Sequence, residues 1–305
     1  MNLKIEEGPN YKYSSFRFED NRVASTEELQ RLLNLKKGEV FSKEQFDKSV
    51  YENMMSIYQN KGYIFSNVTP VITPVGENSL DILFKFNEGN KVYIDQIFVS
   101  GNEKTRENVI RRELKIYPGD VFNRSKLMRS QRDIWILNYF DNVIPDVTPV
   151  SDDKVSLDFL VEEKQSTQRI NANLGFTGEY GMTGGAGVEF DNFRGRGQKL
   201  NVGISTGTNF SLYSGQEPSK YKSLNISFQD PMINDSPFLV GASVFYSYRG
   251  SSTNYYFPLD FTVGGAVASF GRRLEWPDDF FRVMWSVKFM QKEYEGTQAD
   301  IDQYI

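Results

Sequence analysis

Phe98-Val-Ser-Gly-Asn-Glu-Lys-Thr105, Arg106-Glu-Asn-Val-Ile-Arg-Arg-Glu-Leu114, Gly119-Asp-Val-Phe-Asn-Arg124 and Asn138-Tyr-Phe-Asp141 follow one another in a single stretch. An apolar alternation, Val92, Ile94, Ile97 and Val99, runs into it and is closed by Gly101-Asn102, which reads as strand followed by turn. A helix should follow: Thr105 can cap it, Val109, Ile110 and Leu114 fall at helical spacing, and Gly119 lies beyond its end. Asn123 or Ser125 can cap a second helix that buries Leu127, Ile134 and Leu137. Two strands come next, Asn142 to Val150 and Val155 to Val161. The order is strand, helix, helix, strand, strand.

That unit occurs twice. Gly38-Glu-Val-Phe-Ser-Lys-Glu-Gln-Phe46 aligns with Gly119-Asp-Val-Phe-Asn-Arg-Ser-Lys-Leu127, and Gly62-Tyr63 before Asn67-Val68 aligns with Asn138-Tyr139 before Asn142-Val143. Each copy is an α+β module that buries its helices on a three-stranded sheet. In the first, Tyr11 to Glu19 is a strand with a bulge near Ser14-Ser15. Ser25 or Thr26 caps a helix carrying Leu29, Leu32 and Leu33, and Ser42 with Gln45 opens a long helix to Asn60. Phe46, Val50, Met54, Ile57 and Tyr58 form its buried stripe, and strands Asn67 to Thr73 and Leu80 to Phe86 complete the sheet. Leu3 to Gly8 reads as the last strand of a still earlier module.

Composition narrows the chemistry. Among 305 residues, Lys+Arg 35 against Asp+Glu 40 gives no basic excess for nucleic acid. Neither Cys nor His is present, so no disulfide, thiolate nucleophile, imidazole base or Cys/His metal site can form. The expectation is a protein without catalytic residues, cofactor or metal. Asp300 and Asp302 could attract calcium, but two acids in a polar loop read better as solvated. No run of about 18 apolar residues exists to make a transmembrane helix, and Met1 to Glu7 has neither the basic nor the apolar region of a signal peptide.

After Glu163 helical windows cease. Ile170, Ala172, Leu174 and Phe176 alternate with Asn171, Asn173, Gly175 and Thr177, and Leu200, Val202 and Ile204 with Asn201, Gly203 and Ser205. Leu224, Ile226 and Phe228, then Val240 to Tyr248, Val263 to Ser269, and Val283 to Phe289 continue the period of two. One face is apolar and the other small and polar. A soluble sandwich shows the same period, but its outward face would carry more Lys and Glu. Aromatics near segment ends, with Asn, Asp, Gly and Pro between them, fit a transmembrane β-barrel. At roughly 20 residues per strand and loop, residues 165–305 hold about seven strands, an odd number where bacterial barrels prefer even ones. Ala299 to Ile305 reads as a loop or the start of another strand, and the simplest expectation is a fragment cut at both ends.

These residues resemble a known family. Gly101-Asn102, Val109 to Leu114, Gly119-Asp-Val-Phe122 and Asn138-Tyr-Phe140 are similar to the polypeptide-transport-associated (POTRA) module of BamA-type outer-membrane assembly proteins. Asp191-Asn-Phe-Arg-Gly-Arg-Gly-Gln-Lys-Leu200 resembles that family's first barrel hairpin, and Ser227-Phe-Gln-Asp-Pro231 one of its strand endings. The family's later Arg-Gly-Phe loop has no match here; Phe193-Arg194-Gly195 belongs to the early hairpin, and Gly195-x-Gly197 reads as a tight turn rather than a phosphate cradle. Lys36-Lys37 and Arg111-Arg112 read as solvated helix faces or ends.

The resemblance divides the chain into 1–8, the end of a POTRA module; 9–89 and 90–164, two whole modules; and 165–305, the first strands of an incomplete barrel. It implies a protein of the Gram-negative outer membrane with POTRA modules in the periplasm. Its partners would be unfolded outer-membrane proteins, accessory periplasmic or lipoprotein subunits and outer-membrane lipid. The first barrel strand, Arg169, Ile170, Asn171, Ala172, Asn173, Leu174, Gly175, Phe176 and Thr177, would be a gate edge that pairs with a client strand. The second strand of each module, with Asn67, Val68, Thr69 and Val71 in one and Val143, Ile144, Asp146 and Val147 in the other, would be an edge open to clients or accessory subunits. Two other functions remain open at this point: a two-partner secretion translocator, and a fusion with an upstream hydrolase marked by Gly-x-Ser-x-Gly. A soluble interaction protein is the plainest alternative.

Overall fold

The computed structural model describes residues 9–177, 181–208, 220–251, 258–274, 276 and 281–304; Leu3 to Gly8 lies outside them. Two modules with one topology come first. In the first, β1 (Lys12–Glu19), α1 (Thr26–Leu33), α2 (Lys43–Asp47), a π-helical stretch (Lys48–Met54), α3 (Met55–Asn60), β2 (Asn67–Val75) and β3 (Ser79–Asn87) form a sheet of order β1-β3-β2 under helices. In the second, β4 (Tyr93–Ser100), α4 (Glu107–Arg111), α5 (Arg124–Ile136), β5 (Phe140–Ser151) and β6 (Lys154–Glu163) give the order β4-β6-β5. The strand expected after Asn142 begins at Phe140, two residues early. In both sheets the first strand runs parallel to the third, with a register shift at Tyr13/Ser15 and again at Ile94/Ile97.

Local chemistry sets the helix starts. Ser25 accepts from the Glu28 amide while the Glu28 side chain accepts from the Ser25 amide, a closed capping box. Ser42 accepts from Gln45 N at 3.4 Å, and Asn123 Oδ1 accepts from Lys126 N at 2.8 Å. Thr105 caps nothing: α4 begins after Arg106 with no side-chain cap, and it stops at Arg111, short of Leu114. The long helix from Ser42 is not uniform either. Its centre is π-helical, and the extra residue per turn still brings Phe46, Val50, Met54 and Tyr58 into one core with Leu29, Leu33, Ile82 and Phe84. Phe84 stacks between Phe18 and Phe46, with ring centroids 5.3 and 6.1 Å away. Leu127 and Ile134 are buried in the second module, whereas Leu137 lies past the end of α5 and is half-buried.

The remaining strands make one antiparallel sheet of seven, β7 (Gln168–Thr177), β8 (Gly181–Phe193), β9 (Gln198–Thr208), β10 (Lys220–Asp230), β11 (Phe238–Arg249), β12 (Asp260–Arg273) and β13 (Arg282–Glu295), in chain order. Its register puts Ile170, Val188, Val202, Ile226, Val244, Ala266 and Phe289 on one face. Asn171, Gly187, Gly203, Asn225 and Ser243 lie on the other. Val263 and Val267 depart from the apolar reading. They pair with Ser247 and Ser243 on the polar face, because Phe270 stacks with Phe238 and Trp285 on the apolar one and fixes the parity of β12. Lys288 covers Phe245 on that polar face, 5.0 Å from its ring centroid. Gln298–Tyr304 forms α6, which corrects the loop or strand expected there; Thr297 accepts from Asp300 N and starts it.

The chain packs as two compact units: 1–100 with 113–136 and 143–161, and 101–112 with 137–142 and 162–305. Within the first, Asn123 Nδ2 donates to Asn60 O at 2.8 Å, Ser125 N to Asn60 Oδ1 at 2.8 Å and Val92 N to Gly62 O at 2.9 Å, which joins the two modules. Gly62 has φ +97°, and a Cβ there would stand 2.5 Å from Val121 Cγ1. Gly62→Ala should cost about 2 kcal/mol from left-handed strain and overpacking. In native-state hydrogen exchange the Val92 amide should then exchange about 30-fold faster; an unchanged rate would show that the junction yields without cost.

Candidate functional site: the β7 edge and its base

An antiparallel strand exposes backbone donors and acceptors on both sides, so the last strand of a sheet keeps one side unpaired. β7 is the last strand of the seven, with β8 on one side and no partner on the other among the described residues. All nine residues expected at a gate edge, Arg169 to Thr177, lie in it. Ile170, Leu174 and Phe176 are 82%, 86% and 79% exposed, the profile of a strand whose apolar side meets hydrocarbon.

Along most of its length β7 is held lightly. Its neighbour β8 carries Gly181, Gly184, Gly185 and Gly187. A Cβ on Gly185 would stand 2.5 Å from Asn173 Oδ1, and one on Gly187 2.6 Å from Asn171 Oδ1, so each asparagine amide lies flat over a glycine. Glycine supplies no side chain for cross-strand pairing, and a glycine-rich strand specifies register weakly.

The base is held differently. Arg169 Nη2 lies 3.0 Å from Glu189 Oε1 and 2.9 Å from Asp191 Oδ2, and Lys199 Nζ is 3.5 Å from Asp191 Oδ1. The Asp191 side chain is only 10% exposed, whereas Arg169 and Lys199 reach it from solvent, 59% and 50% exposed. Next to them the β8–β9 turn, Arg194 to Gly197, meets the segment 101–112. Gly195 O accepts from Arg106 N at 2.9 Å, and Asn192 donates to Thr105 Oγ1 at 2.8 Å while accepting from Gly197 N at 2.7 Å. Gly195 and Gly197 have φ +68° and +70°; a Cβ would collide with Lys104 O in one case and with Arg112 Nη2 in the other. The Asn-x-x-Gly-x-Gly spacing is therefore turn chemistry and close approach together.

Arg112 is not a solvated helix end. Its side chain is 7% exposed and its Nη1 lies 3.3 Å from Asp235 Oδ1 in the β10–β11 turn, where Asn108 Nδ2 also donates to both Asp235 oxygens at 2.9 Å. Arg111, in contrast, is exposed and pairs with Glu107 at 2.6 Å. Arg112 and Asp235 lie more than a hundred residues apart, so no local pattern could have paired them. Glu163, at the end of β6, accepts from Lys104 N at 2.8 Å and Thr105 N at 2.6 Å.

The edge strands expected in the modules are also edges: β2 ends the order β1-β3-β2 and β5 ends β4-β6-β5. Asn67, Val68, Thr69 and Val71 lie in β2, and Val143, Ile144, Asp146 and Val147 in β5. No cluster of metal-ligating side chains occurs among the described residues.

Comparison with known proteins bears on the modules and the fold of the sheet. The family model POTRA, "Surface antigen variable number repeat", matches residues 11–89 and 92–164. Outer membrane protein assembly factor BamA of Neisseria meningitidis is 30% identical over 209 residues, 67% of this chain and 26% of that protein. BamA of Neorickettsia risticii is 26% identical over 278 residues, 89% of this chain and 35% of its own length. The crystal structure of BamA from Haemophilus ducreyi lacking POTRA domains 1–3 superposes with a TM-score of 0.77 at 20% identity, covering 94% of this chain and 52% of that one. The chain thus spans about a quarter to a third of the curated relatives it matches.

Burial raises the affinity of Glu163 for a proton, but its bonds from the Thr105 hydroxyl and the Lys104 and Thr105 amides outweigh that and hold its pKa below the ordinary 4.5. A carboxylate depressed in the folded state contributes stability above its unfolded pKa and loses it as pH falls through the folded one. Exchange protection of the Lys104 and Thr105 amides, corrected for intrinsic rates, should therefore stay level from pH 7 to about 5 and fall only under 4.5. Glu163→Gln should lower the plateau and remove the acid limb; a pH profile unchanged by that substitution would contradict the assignment.

Proposed function

Since the chain belongs to the BamA-like family of outer-membrane POTRA–barrel proteins, with its POTRA modules in the periplasm, we propose that it acts in assembly of other outer-membrane barrels. The observation that carries this reading is β7: a proline-free edge strand with an apolar lipid-facing side, held by a charged base and a glycine-rich neighbour. Its unpaired backbone groups template a client strand by β-augmentation.

The driving force is physical. In hydrocarbon each unpaired backbone group costs several kcal/mol, so a client strand and β7 satisfy each other as they enter lipid. Backbone pairing makes few demands on client sequence, and period-two side chains sort themselves between lipid and interior. This step needs no covalent chemistry. The partners are unfolded outer-membrane proteins, accessory periplasmic or lipoprotein subunits and the lipid itself. The modules β1–β3 and β4–β6 receive extended client segments before β7 does.

Residues 1–305 contain no cysteine, so one introduced here is the only one in this stretch. In the whole protein in its outer membrane, cysteines placed at Ile170, Ala172 and Leu174 should form disulfides with a cysteine in a client's terminal strand. The best-paired client position should move one for one along β7. Cysteines at Ser205 or Ser243, on interior strands, should give at least tenfold less. Equal yields at interior and β7 positions would overturn the proposal.

A further inference from the structure

The module edges and the β7 edge differ in one residue type. β2 reads Asn67-Val-Thr-Pro-Val-Ile-Thr-Pro-Val75 and β5 contains Asn142-Val-Ile-Pro-Asp-Val-Thr-Pro-Val150, so Pro70 and Pro74 recur as Pro145 and Pro149 at the same place in the repeat. A proline has no N–H and cannot complete a ladder, so in a paired strand it turns its nitrogen away from its partner. β2 pairs with β3 in unbroken register from Asn67 to Val75. Period two then sends the backbone groups of Val68, Pro70, Ile72 and Pro74 to the outer side. In β5 the same parity holds: Val143 O accepts from Gln131 Nε2 at 2.7 Å, a side-chain donor rather than a strand. The outer side of each strand thus keeps its carbonyls and loses every second donor.

The opposite edges are closed by another device. The Gly38-Glu-Val-Phe41 segment covers the leading half of β1 through Gly38 N to Tyr13 O at 2.7 Å, Tyr13 N to Glu39 O at 3.0 Å and Phe41 N to Tyr11 O at 2.7 Å. Gly119-Asp-Val-Phe122 does the same for β4 through Gly119 N to Ile94 O at 2.8 Å, Ile94 N to Asp120 O at 2.9 Å and Phe122 N to Val92 O at 2.9 Å. The register shifts at Tyr13/Ser15 and Ile94/Ile97 add twist to both strands. β7, Gln168 to Thr177, has neither proline nor cover among the described residues.

Resting on the assembly reading above, we infer that Pro70, Pro74, Pro145 and Pro149 are specificity-determining residues that bar strand templating at the module edges and confine it to β7. The module edges hold an extended client segment through N–H groups that the client donates to their outer carbonyls, with only every second edge residue, such as Ile72, able to donate in return. A client laid there leaves its own carbonyls opposite each proline without a donor. Each such missing bond weakens pairing by about five- to tenfold. Val71, Ile72 and Val75 are each more than 40% exposed, so without the prolines β2 would be an apolar strand edge of the kind that captures other strands. The device lets clients pass along the modules without being trapped.

The test uses the whole protein reconstituted in phospholipid vesicles, with a synthetic peptide of the sequence Arg282–Glu295 as an alternating barrel-type strand. A photocrosslinking amino acid replaces Val71, Asp146 or Asn173 in turn. With all prolines present, Asn173 should capture the peptide at least fivefold better than Val71 or Asp146. Pro70→Thr with Pro74→Thr should raise capture at Val71 at least fivefold, and Pro145→Thr with Pro149→Thr should do so at Asp146. Unchanged capture in the substituted proteins, or wild-type capture at the module edges equal to that at Asn173, overturns the inference. Hydrogen exchange on the unsubstituted protein decides it independently of how the variants fold: the Ile72 and Val147 amides should stay unprotected under saturating peptide, and protection there overturns it. Capture absent at Asn173 but still raised fivefold by the proline substitutions would defeat the β7 reading alone and leave the proline effect standing.

Discussion

A β-strand carries hydrogen-bonding groups along both sides, and what is done with the outer side of an edge strand decides what its sheet can do. In water such a side is solvated at little cost, so each three-stranded module tolerates an open edge. In hydrocarbon there is no solvent partner, and an edge must be closed or matched by another strand. The seven-stranded sheet lives under the second rule. Its interior strands satisfy one another from β8 to β12, and its exposed Leu174, Val287 and Phe289 are suited to lipid. β7 is placed at its leading edge with a full row of outward amides.

Much of this was legible in the residues themselves. A period of two running through Ile170 to Phe176 and Val283 to Phe289 specifies strands, and Ser42 with Gln45 specifies a helix start, because both signals are local. The repeated Gly-x-Val-Phe marked the modules. Its role, covering β1 and β4, emerged only from the backbone bonds of Gly38 and Gly119. What stayed hidden was non-local or cumulative. Arg112 looks like one more surface cation until Asp235 and Asn108 are brought to it. Val263 and Val267 suggest an apolar stripe, and only the stacking of Phe270 on neighbours from two other strands shows that the stripe is Ala266, Ala268 and Phe270. The π-helical centre between Lys48 and Met54 left no mark in the residue spacing, since Phe46, Val50, Met54 and Tyr58 would share one face of an ordinary α-helix too. Gln298 to Tyr304, being polar, carries no strong apolar period, and a helix there rests on the Thr297 cap.

The glycines of the β8–β9 turn illustrate how one motif can serve two constraints. Positive φ at Gly195 and Gly197 would be met by asparagine at modest cost, but close approach would not. With the Lys104 carbonyl where a Cβ would need to sit, any side chain at Gly195 must displace main chain, whereas at Gly197 it meets the end of Arg112, which can move. The two glycines are therefore unequal, and Gly195 is the stricter requirement.

The contrast between the base and the body of β7 bears on how an edge can template and still let go. At the base, Arg169 is shared between Glu189 and Asp191, two charge contacts that the body of β7 lacks. Above it, Asn171 and Asn173 rest on Gly187 and Gly185, and the cross-strand side-chain pairing that ordinarily adds about 0.2–1 kcal/mol per pair is missing. β7 is thus fixed where the chain enters the sheet and held farther along mainly by its backbone ladder. Under the proposed function a client strand would use the outer row of backbone groups while β8 keeps the inner row, and the base would keep the register origin. A β7 held weakly along its whole length would have no fixed origin for the incoming strand.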